Sequence, residues 1–110
     1  MLTFCCFNLS SSQVMVKFTN GSKEDYKELF VDIFGKEFTF KDVKSGESTN
    51  YIKVEKTFRI FRSYVTTKKD AIRFLPFDIS ESEILYDSGK ISIKISINSA
   101  RNLEFEVIKE

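Results

Sequence analysis

The sequence predicts an all-β fold, an antiparallel β-sandwich of seven or eight strands. The clearest observation is the segment 90–110, where two runs of apolar residues alternate with polar ones: Ile91, Ile93, Ile95 and Ile97, then Leu103, Phe105 and Val107. A period of two is typical of a strand with one buried face and one solvent face. Residues 99–102 join the two runs, which predicts a β-hairpin. Turn signals recur roughly every 8–12 residues along the chain, as expected for a sandwich.

Length and composition are those of a single globular domain. The chain has 110 residues, a net charge of +1, and twelve phenylalanines with no tryptophan. A chain of this size buries roughly two-thirds of its unfolded surface, which is enough for one core. We expect most of the phenylalanines to fill the space between two sheets.

The first half of the chain contains one ambiguous segment, residues 23–34. Val14, Val16 and Phe18 predict a first strand that ends at the Asn20-Gly21 turn. In the next segment the apolar residues fit a helix as well as a strand, and Ser22 and Asp25 stand where a helix cap would begin. We favour a strand over residues 28–34, followed by a two-residue turn at residues 35–36 and a strand that contains Phe38 and Phe40.

The middle of the chain predicts shorter strands. Ile52, Val54, Phe58 and Ile60 indicate one long or bent strand, and the neighbouring Phe61 breaks the alternation, which indicates a bulge or a change of sheet. Further strands are predicted over 64–67, 72–74 and 84–86, with turns at 44–47, 68–70 and 87–89. The single proline, at position 76, belongs at a strand end because it cannot donate to a ladder.

Residues 1–12 differ from the domain that follows, and we divide the chain into a signal-peptide remnant at 1–12 and one sandwich domain at 13–110. The segment MLTFCCFNLSSS is apolar and ends in small residues, as the second half of a secretory signal does. It has no basic leader residues, which would fit a signal peptide that begins further upstream. A hydrophobic first strand or a frayed terminus is the alternative. The only cysteines are Cys5 and Cys6, and neighbouring cysteines rarely satisfy disulfide geometry.

The order of turns resembles that of known bacterial domains. The segments VKFTNGS, LFVDIFGKEFTF and KDVKSGESTNYIKV resemble small bacterial immunoglobulin-like domains, through Asn20, Ser22, Gly46, Glu47 and Ser48. The later segment FLPFDISESEILYDSGKISIKI resembles uncharacterised envelope proteins of Gram-negative bacteria. The resemblance spans most of residues 14–110 and rests on turn residues. It implies an exported immunoglobulin-like sandwich, it favours the strand at 28–34, and it brings no activity with it.

Composition excludes several classes of catalytic site. The chain has no histidine, which removes Ser-His-Asp and Cys-His nucleophile systems, histidine general bases and histidine-containing zinc sites. No catalytic or ligand-binding motif stands out among the remaining residues. We therefore predict a protein that is not an enzyme and that has no cofactor.

The strongest charge feature is the segment Lys53–Arg73, from which we select an interaction patch: Lys56, Arg59, Arg62, Lys68, Lys69 and Arg73. Its interleaved aromatic residues Phe58, Phe61 and Tyr64 would suit single-stranded nucleic acid if their rings lay on the solvent face. The overall charge of +1 gives no long-range attraction for phosphate, so a nucleic-acid partner is disfavoured. An ordinary solvated face, or a patch for an acidic protein, is the preferred interpretation.

Acidic residues offer weaker candidates, and we assign none of them a role. Asp78, Glu81 and Glu83 crowd one loop, but their spacing does not match a calcium-binding loop, and a solvated loop is preferred. Carboxylate pairs among Glu47, Glu55, Glu104 and Glu106, and the pair Thr66 and Lys69, have nothing in the sequence that places them across a cleft. Asn8 and Asn20 match the glycosylation sequon, which often occurs by chance.

The functional hypothesis from sequence is a non-enzymatic accessory or protein-interaction domain of the bacterial cell envelope. It would be periplasmic, outer-membrane-associated or secreted, with an unknown protein partner and no transmembrane segment in the domain. The alternatives are a small inhibitor or immunity-type protein, a single-stranded nucleic-acid binder through Lys53–Arg73, and a cytoplasmic location. Unpaired sheet edges could also bind a partner strand, and we expect Lys90, Lys94 and Lys109 to protect the terminal hairpin from such pairing.

Overall fold

The computed structural model describes residues 13–76 and 83–110, which form eight strands and, within those ranges, no helix. The strands are β1 (Val14–Asn20), β2 (Tyr26–Ile33), β3 (Lys36–Val43), β4 (Ile52–Val54), β5 (Arg62–Thr66), β6 (Ala71–Phe74), β7 (Lys90–Ile97) and β8 (Leu103–Lys109). The prediction of an all-β sandwich is therefore confirmed at the level of two packed sheets.

Each sheet has four strands. Sheet A has the order β4-β1-β7-β8 and sheet B the order β3-β2-β5-β6. All neighbours are antiparallel except β1 and β7, which run parallel with Val16 opposite Ile91 and Phe18 opposite Ile93. The expectation of a purely antiparallel fold was wrong for this pair. A parallel pair needs a long connection between its strands, and the whole of sheet B lies between β1 and β7 in the chain.

The core lies between the two sheets and draws on both. Its buried apolar side chains form one cluster: Val14, Val16, Phe18, Tyr26, Leu29, Val31, Ile33, Val43, Val54, Phe61, Val65, Ile72, Ile91, Ile93, Ile95, Leu103 and Phe105. The ring of Phe18 in sheet A lies 5.7 Å from those of both Phe40 and Phe61. These edge and tilted contacts are favourable arrangements of aromatic rings. Most of the buried side chains are aliphatic, and six of the nine described phenylalanines lie in this core or pack against it, as expected: Phe18, Phe38, Phe40, Phe61, Phe74 and Phe105.

The ambiguous segment is a strand, and its turn differs by one residue from the prediction. Ile33 pairs with Lys36, so the two turn residues are Phe34 and Gly35 instead of 35 and 36. Both have positive φ, 50° and 87°, as a type I′ hairpin turn requires. The Gly35 amide also donates to the Asp32 carboxylate at 2.9 Å. The sequence favoured glycine as the first turn residue because phenylalanine rarely adopts positive φ.

The predicted long strand over residues 52–60 is also corrected. Only Ile52–Val54 is a strand, and it belongs to sheet A, whereas β5 belongs to sheet B. Phe61 lies buried between them, so the change of sheet inferred from its broken alternation is confirmed. The predicted strand at 84–86 is reduced to a single bridge between Tyr86 and Thr57, because Ile84 and Leu85 are exposed and meet no neighbouring strand.

The expected protection of the terminal hairpin applies to one of its three lysines. Lys90 and Lys94 lie on β7, which has neighbours on both sides, so they do not guard an edge. Lys109 lies on β8, which is an edge strand of sheet A.

Asn20 connects the two sheets. It ends β1, it is fully buried, and its amide nitrogen donates to the Val43 carbonyl at 2.9 Å and to the Glu24 carbonyl at 2.7 Å. Its side-chain oxygen accepts hydrogen bonds from the backbone amide and the hydroxyl of Ser22, both at 2.9 Å. Both the nitrogen and the oxygen of this buried side-chain amide therefore have hydrogen-bond partners within the protein, as a buried polar side chain requires.

The backbone around Asn20 is held equally closely. The Asn20 amide donates to the Glu47 carbonyl and the Gly46 amide donates to the Asn20 carbonyl, each at 2.9 Å. The next residue, Gly21, donates to the Ile95 carbonyl on β7 at 2.9 Å. A Cβ at Gly21 would overlap Ser96 Oγ and lie 2.6 Å from Lys94 Cγ, so this close approach requires glycine. The turn that begins at Asn20 and the turn at Gly46 and Glu47 are therefore hydrogen-bonded to each other.

Tyr26 adds a second polar link across the core. This residue is fully buried on β2, and its hydroxyl donates to the Ile95 carbonyl on β7 at 2.7 Å. Burial raises the pKa of the Tyr26 hydroxyl, so it stays a neutral donor at physiological pH.

An ionic cluster closes the same end of the sandwich. Arg101, in the β7–β8 turn, forms ion pairs with Glu24 in the β1–β2 loop and with Asp70 in the β5–β6 turn. Hydrogen bonds from Arg101 lower the pKa of both carboxyls below their ordinary values. Arg101 has a φ of 63°, so the turn holds it in the left-handed region while it links both sheets.

Replacing Asn20 with alanine should cost about 2–4 kcal/mol of unfolding free energy, because the carbonyls of Glu24 and Val43 lose their donor inside the protein. The matched control is Asn50→Ala at an exposed position, which should stay within about 0.5 kcal/mol of wild type. Urea denaturation followed by circular dichroism measures both. A loss below about 1 kcal/mol for Asn20→Ala would contradict this role.

Acidification should weaken the protein through the Arg101 cluster. The depressed pKa values of Glu24 and Asp70 give stability that is present above their unfolded values, 4.5 and 3.8. That stability is lost as the pH falls through the lower folded values. Urea midpoints measured from pH 6 to pH 2 should therefore fall more steeply for wild type than for Arg101→Gln. Parallel curves for the two proteins would show that the cluster contributes nothing.

Candidate interaction surface

The outer face of sheet B brings together two of the six selected basic residues. Arg62 on β5 and Arg73 on β6 both point away from the core, and Arg73 pairs across the strands with Tyr64. From β3 to β6, the outward residues form rows that read Glu37–Asp32–Arg62, then Thr39–Phe30–Tyr64–Arg73, then Lys41–Glu28–Thr66–Ala71. The middle row thus places two aromatic rings beside an arginine on a solvent-facing surface.

The positive charge of Arg62 is largely compensated by two neighbouring carboxylates. Its Nη2 and Nε approach Asp32 Oδ2 at 2.8 and 3.1 Å, and its Nη2 also lies 3.4 Å from Glu37 Oε2. The guanidinium lies over the ring of Phe30, 5.2 Å from its centroid. Two carboxylates and an aromatic face therefore fix its orientation, although each exposed ion pair contributes little to stability.

Arg73 is held more loosely. Its guanidinium lies over the Tyr64 ring at 5.5 Å, and within residues 13–76 and 83–110 it forms no ion pair. Beside it, Leu75 is 50% exposed. An open depression of about 410 Å³ lies on this face, and its lining residues are Phe30, Arg62, Ser63, Tyr64, Arg73 and Leu75. We call these six residues the sheet B depression. It combines an accessible positive charge with apolar and aromatic walls.

The other four selected residues lie elsewhere. Arg59 donates to the Phe105 carbonyl at 3.0 Å and pairs with Glu83 at 2.9 Å, at the side of the sandwich where β8 is the edge. Lys56 lies over the ring of Phe34, 5.0 Å from its centroid, near the β2–β3 turn. Lys68 and Lys69 are exposed in the β5–β6 turn, at the other end of β5 from Arg62. The six residues therefore do not form one continuous surface.

The three aromatic residues interleaved with these charges also separate. Phe61 is only 5% exposed and packs against Phe105 with a ring distance of 5.3 Å, so it belongs to the core. Phe58 packs against Phe34 at 5.6 Å, and Tyr64 alone lies in the sheet B depression. Phe30, which also lines this depression, was not predicted to lie there. The available signal was that Phe30 falls between the inward-facing Leu29 and Val31 and must therefore face outward.

A second apolar surface lies at the end of the sandwich where β2 turns into β3. Phe34 is 57% exposed at its strained turn position, with Lys56 over its ring. Next to it lies a cavity of about 170 Å³ with a mainly apolar lining that includes Ile33, Phe58, Ile60 and Pro76. A bulky residue at positive φ is uncommon, and such strain is concentrated at functional sites. Sequence reasoning missed this feature because it assigned the turn one residue too late.

The acidic candidates from the sequence do not converge on a site. Asp78 and Glu81 lie outside the described residues, and Glu83 pairs with Arg59. Among the carboxylates with described contacts, Glu104 accepts from Asn98, Glu106 pairs with Lys94, and Glu47 accepts from the Lys44 amide. Within the described ranges, no group of three or more potential ligands is placed to hold a metal ion.

The two glycosylation sequons have different outcomes. Asn8 lies outside the described residues. Asn20 is fully buried and both ends of its side-chain amide are engaged in hydrogen bonds, so a glycan cannot attach to it in this fold.

Comparison with known proteins identifies the fold and no family. No protein-family model and no curated protein matches this sequence. The chain is similar to the NMR structure of a protein from Eubacterium rectale, with a TM-score of 0.58 and 12% sequence identity over 90% of this chain and 91% of that one. At this identity the likeness extends to the fold alone.

Within residues 13–76 and 83–110, no helix has the length and apolar character that crossing a membrane requires.

Proposed function

We propose that this chain is a non-enzymatic protein-interaction domain that binds its partner through the sheet B depression. The observation that supports the proposal is Arg73, whose accessible guanidinium lies over Tyr64 beside the exposed Leu75. Arginine and tyrosine are the residue types that contribute most often to the energetic centre of protein interfaces. The partner that fits is a protein segment with a carboxylate for Arg73 and an apolar side chain for the depression.

The charges around the depression add a reason for selectivity. Arg62 already has Asp32 and Glu37 as partners, so a second carboxylate there would meet negative charge. Arg73 lies one row away with no described ion pair, so a carboxylate can approach it from solvent. An acidic partner is thereby directed to one side of the depression, because like charges repel it at the other.

We further propose an immunoglobulin-like sandwich as the architecture to which this domain is related. The support is the resemblance of its turns and the presence of two packed four-stranded sheets. The strand order differs from that of an immunoglobulin constant domain, which places the first strand beside the second. Here β1 pairs with β4 and β7, while β2 and β5 remain neighbours as the corresponding strands of a constant domain do. The relationship we propose is therefore one of architecture and not of complete topology.

We place the domain in the bacterial cell envelope, in the periplasm, at the outer membrane or outside the cell. The support is the apolar segment 1–12, which resembles the second half of a signal peptide. A cytoplasmic location is the alternative.

The alternative functions each have a specific structural feature. An inhibitor or immunity-type protein would insert an exposed loop into an enzyme, and Phe34 at its strained turn is the residue that such a loop would present. A single-stranded nucleic-acid binder would stack bases on Tyr64 and Phe30, since Phe61 belongs to the core. The net charge of +1 disfavours this second alternative.

The partner should depend on Arg73. We expect a protein captured by the wild-type domain from its native cells to bind the Arg73→Glu variant about 10–100-fold more weakly. This is the loss expected when a residue at the energetic centre of an interface is replaced. The matched control is Lys53→Glu, which makes the same charge change on the exposed part of β4 in sheet A. Isothermal titration calorimetry with the purified partner measures the affinities.

Three outcomes would oppose the depression as the binding site. If Arg73→Glu binds as wild type does, the partner uses another surface. If Phe34→Ser alone abolishes binding to a captured enzyme, the inhibitor hypothesis replaces this one. If single-stranded oligonucleotides compete with the partner in a steeply salt-dependent way, the nucleic-acid hypothesis gains support.

The envelope location predicts a processed chain. After expression of the gene in its own cell with any upstream reading frame intact, the intact mass of the purified protein should correspond to a chain that starts at Gln13 and is found in the envelope or the medium. A chain that retains residues 1–12 and is wholly cytosolic would contradict the envelope location.

A further inference from the structure

The free edge of β3 differs from the other sheet edges of this protein. β4 has only three residues, and β6 has four and is followed closely by Pro76. At β8, Arg59 donates to the Phe105 carbonyl and so blocks part of the edge. β3 has eight residues and pairs only with β2. Among the described strands it is therefore the longest free edge. Its protection consists of charged side chains and of the positive φ of Asp42 near its end, 56°, which leaves Glu37–Lys41 as the extended part of the edge.

The hairpin geometry determines which backbone groups of β3 point outward. Because Phe34 and Gly35 form a two-residue turn, Ile33 and Lys36 are a hydrogen-bonded pair, and bonded and non-bonded pairs alternate from there. Phe38 and Phe40 therefore bond to β2. The amides and carbonyls of Glu37, Thr39 and Lys41 point to the free edge, where a further strand could bond to them.

From this geometry we infer that the occupant of the β3 edge is the β3 strand of a second copy of this chain. The extended segment Glu37–Lys41 is self-complementary about Thr39 when two copies run antiparallel. Thr39 then faces Thr39 of the other copy, Glu37 faces Lys41, and Phe38 faces Phe40. The pairing ends at Lys41, because Asp42 has a φ of 56° and leaves the extended conformation. All the outward groups of residues 37, 39 and 41 meet their counterparts in this register.

Neighbouring registers do not match. A shift that centres the pair on Phe38 places Lys36 opposite Phe40, and a shift that centres it on Phe40 places Phe38 opposite Asp42. Each puts a charge against an aromatic ring in place of an oppositely charged partner, which is a poorer cross-strand pair. Lysine on an edge strand usually discourages pairing. In the register centred on Thr39, Glu37 faces Lys41 and removes that obstacle.

The pairing would also bury Phe38 and Phe40 further and give Glu37 a second positively charged neighbour. Phe38 and Phe40 are half-buried at the open side of the core, so a second strand would cover them further. Glu37 already lies 3.4 Å from Arg62, and Lys41 of the second copy would approach it from the other side. Two four-stranded sheets would join into one continuous eight-stranded sheet through a two-fold axis, which is the commonest symmetry of homo-oligomers. The sheet B depression stays on the face of that sheet.

The pairing is tested by charge exchange. Wild type should be a concentration-dependent dimer in sedimentation equilibrium. Glu37→Lys and Lys41→Glu should each raise the dimer dissociation constant at least about tenfold, because the change acts on two symmetric cross-strand pairs. The double variant Glu37→Lys with Lys41→Glu restores complementary charges and should recover most of the affinity. Lys109→Glu, which has the same charge change as Lys41→Glu on the opposite edge of the sandwich, should leave the dimer unchanged.

Amide hydrogen exchange supplies an independent readout. Protection of the Glu37, Thr39 and Lys41 amides should rise with protein concentration, while the Phe38 and Phe40 amides should be protected at all concentrations. A wild-type protein that stays monomeric up to about 0.5 mM would overturn the proposal. So would a dimer that the single charge reversals leave intact, or one in which the outward amides exchange freely.

Discussion

The fully buried amide of Asn20 is the interaction on which the arrangement of the two sheets depends. It ends a central strand of sheet A and donates to Val43 on the edge strand of sheet B and to Glu24 in the loop between the sheets. Its backbone meets the turn at Gly46 and Glu47. Because a buried amide is costly unless all its hydrogen bonds are made, the loops that satisfy it have little freedom to move. The adjacent Gly21 lets this junction lie directly against β7.

The two sheets play different parts as a result. Sheet A holds the parallel pair β1–β7 and the terminal hairpin, and Tyr26 and Arg101 connect it to sheet B at the same end as Asn20. Sheet B carries three accessible features: the free β3 edge, Arg73, which forms no ion pair among the described residues, and Phe34, which is 57% exposed. The well-connected end thus supports a rigid sheet whose outer face and free edge are accessible. Binding surfaces on rigid elements lose little entropy when they meet a partner.

Alternation along the chain predicted most of the strands, because burial of one sheet face leaves a direct record in the sequence. It predicted β7 and β8 closely and resolved the ambiguous β2 correctly. It did not predict the parallel pairing of β1 with β7, since strand order depends on long-range packing and leaves no local pattern. It also placed the turn after β2 one residue late, because Phe34 adopts a φ that phenylalanine rarely takes.

The candidate site was less predictable still, because Arg62, Arg73 and Phe30 converge only when three strands lie side by side. The polar junction was hidden for a related reason: the sequence shows Asn20 as a turn residue, and only its neighbours in space show that it is buried.

The most direct test of this account is hydrogen exchange at the side-chain amide of Asn20, measured by NMR. If Asn20 donates to Glu24 and Val43 inside the protein, its two Nδ2 protons should be resolved and should exchange at rates comparable to those of the slowest backbone amides in β1 and β7. Rapid exchange at the rate of the exposed Asn50 side chain, in a protein whose strands are otherwise protected, would contradict the claim that this amide joins the two sheets.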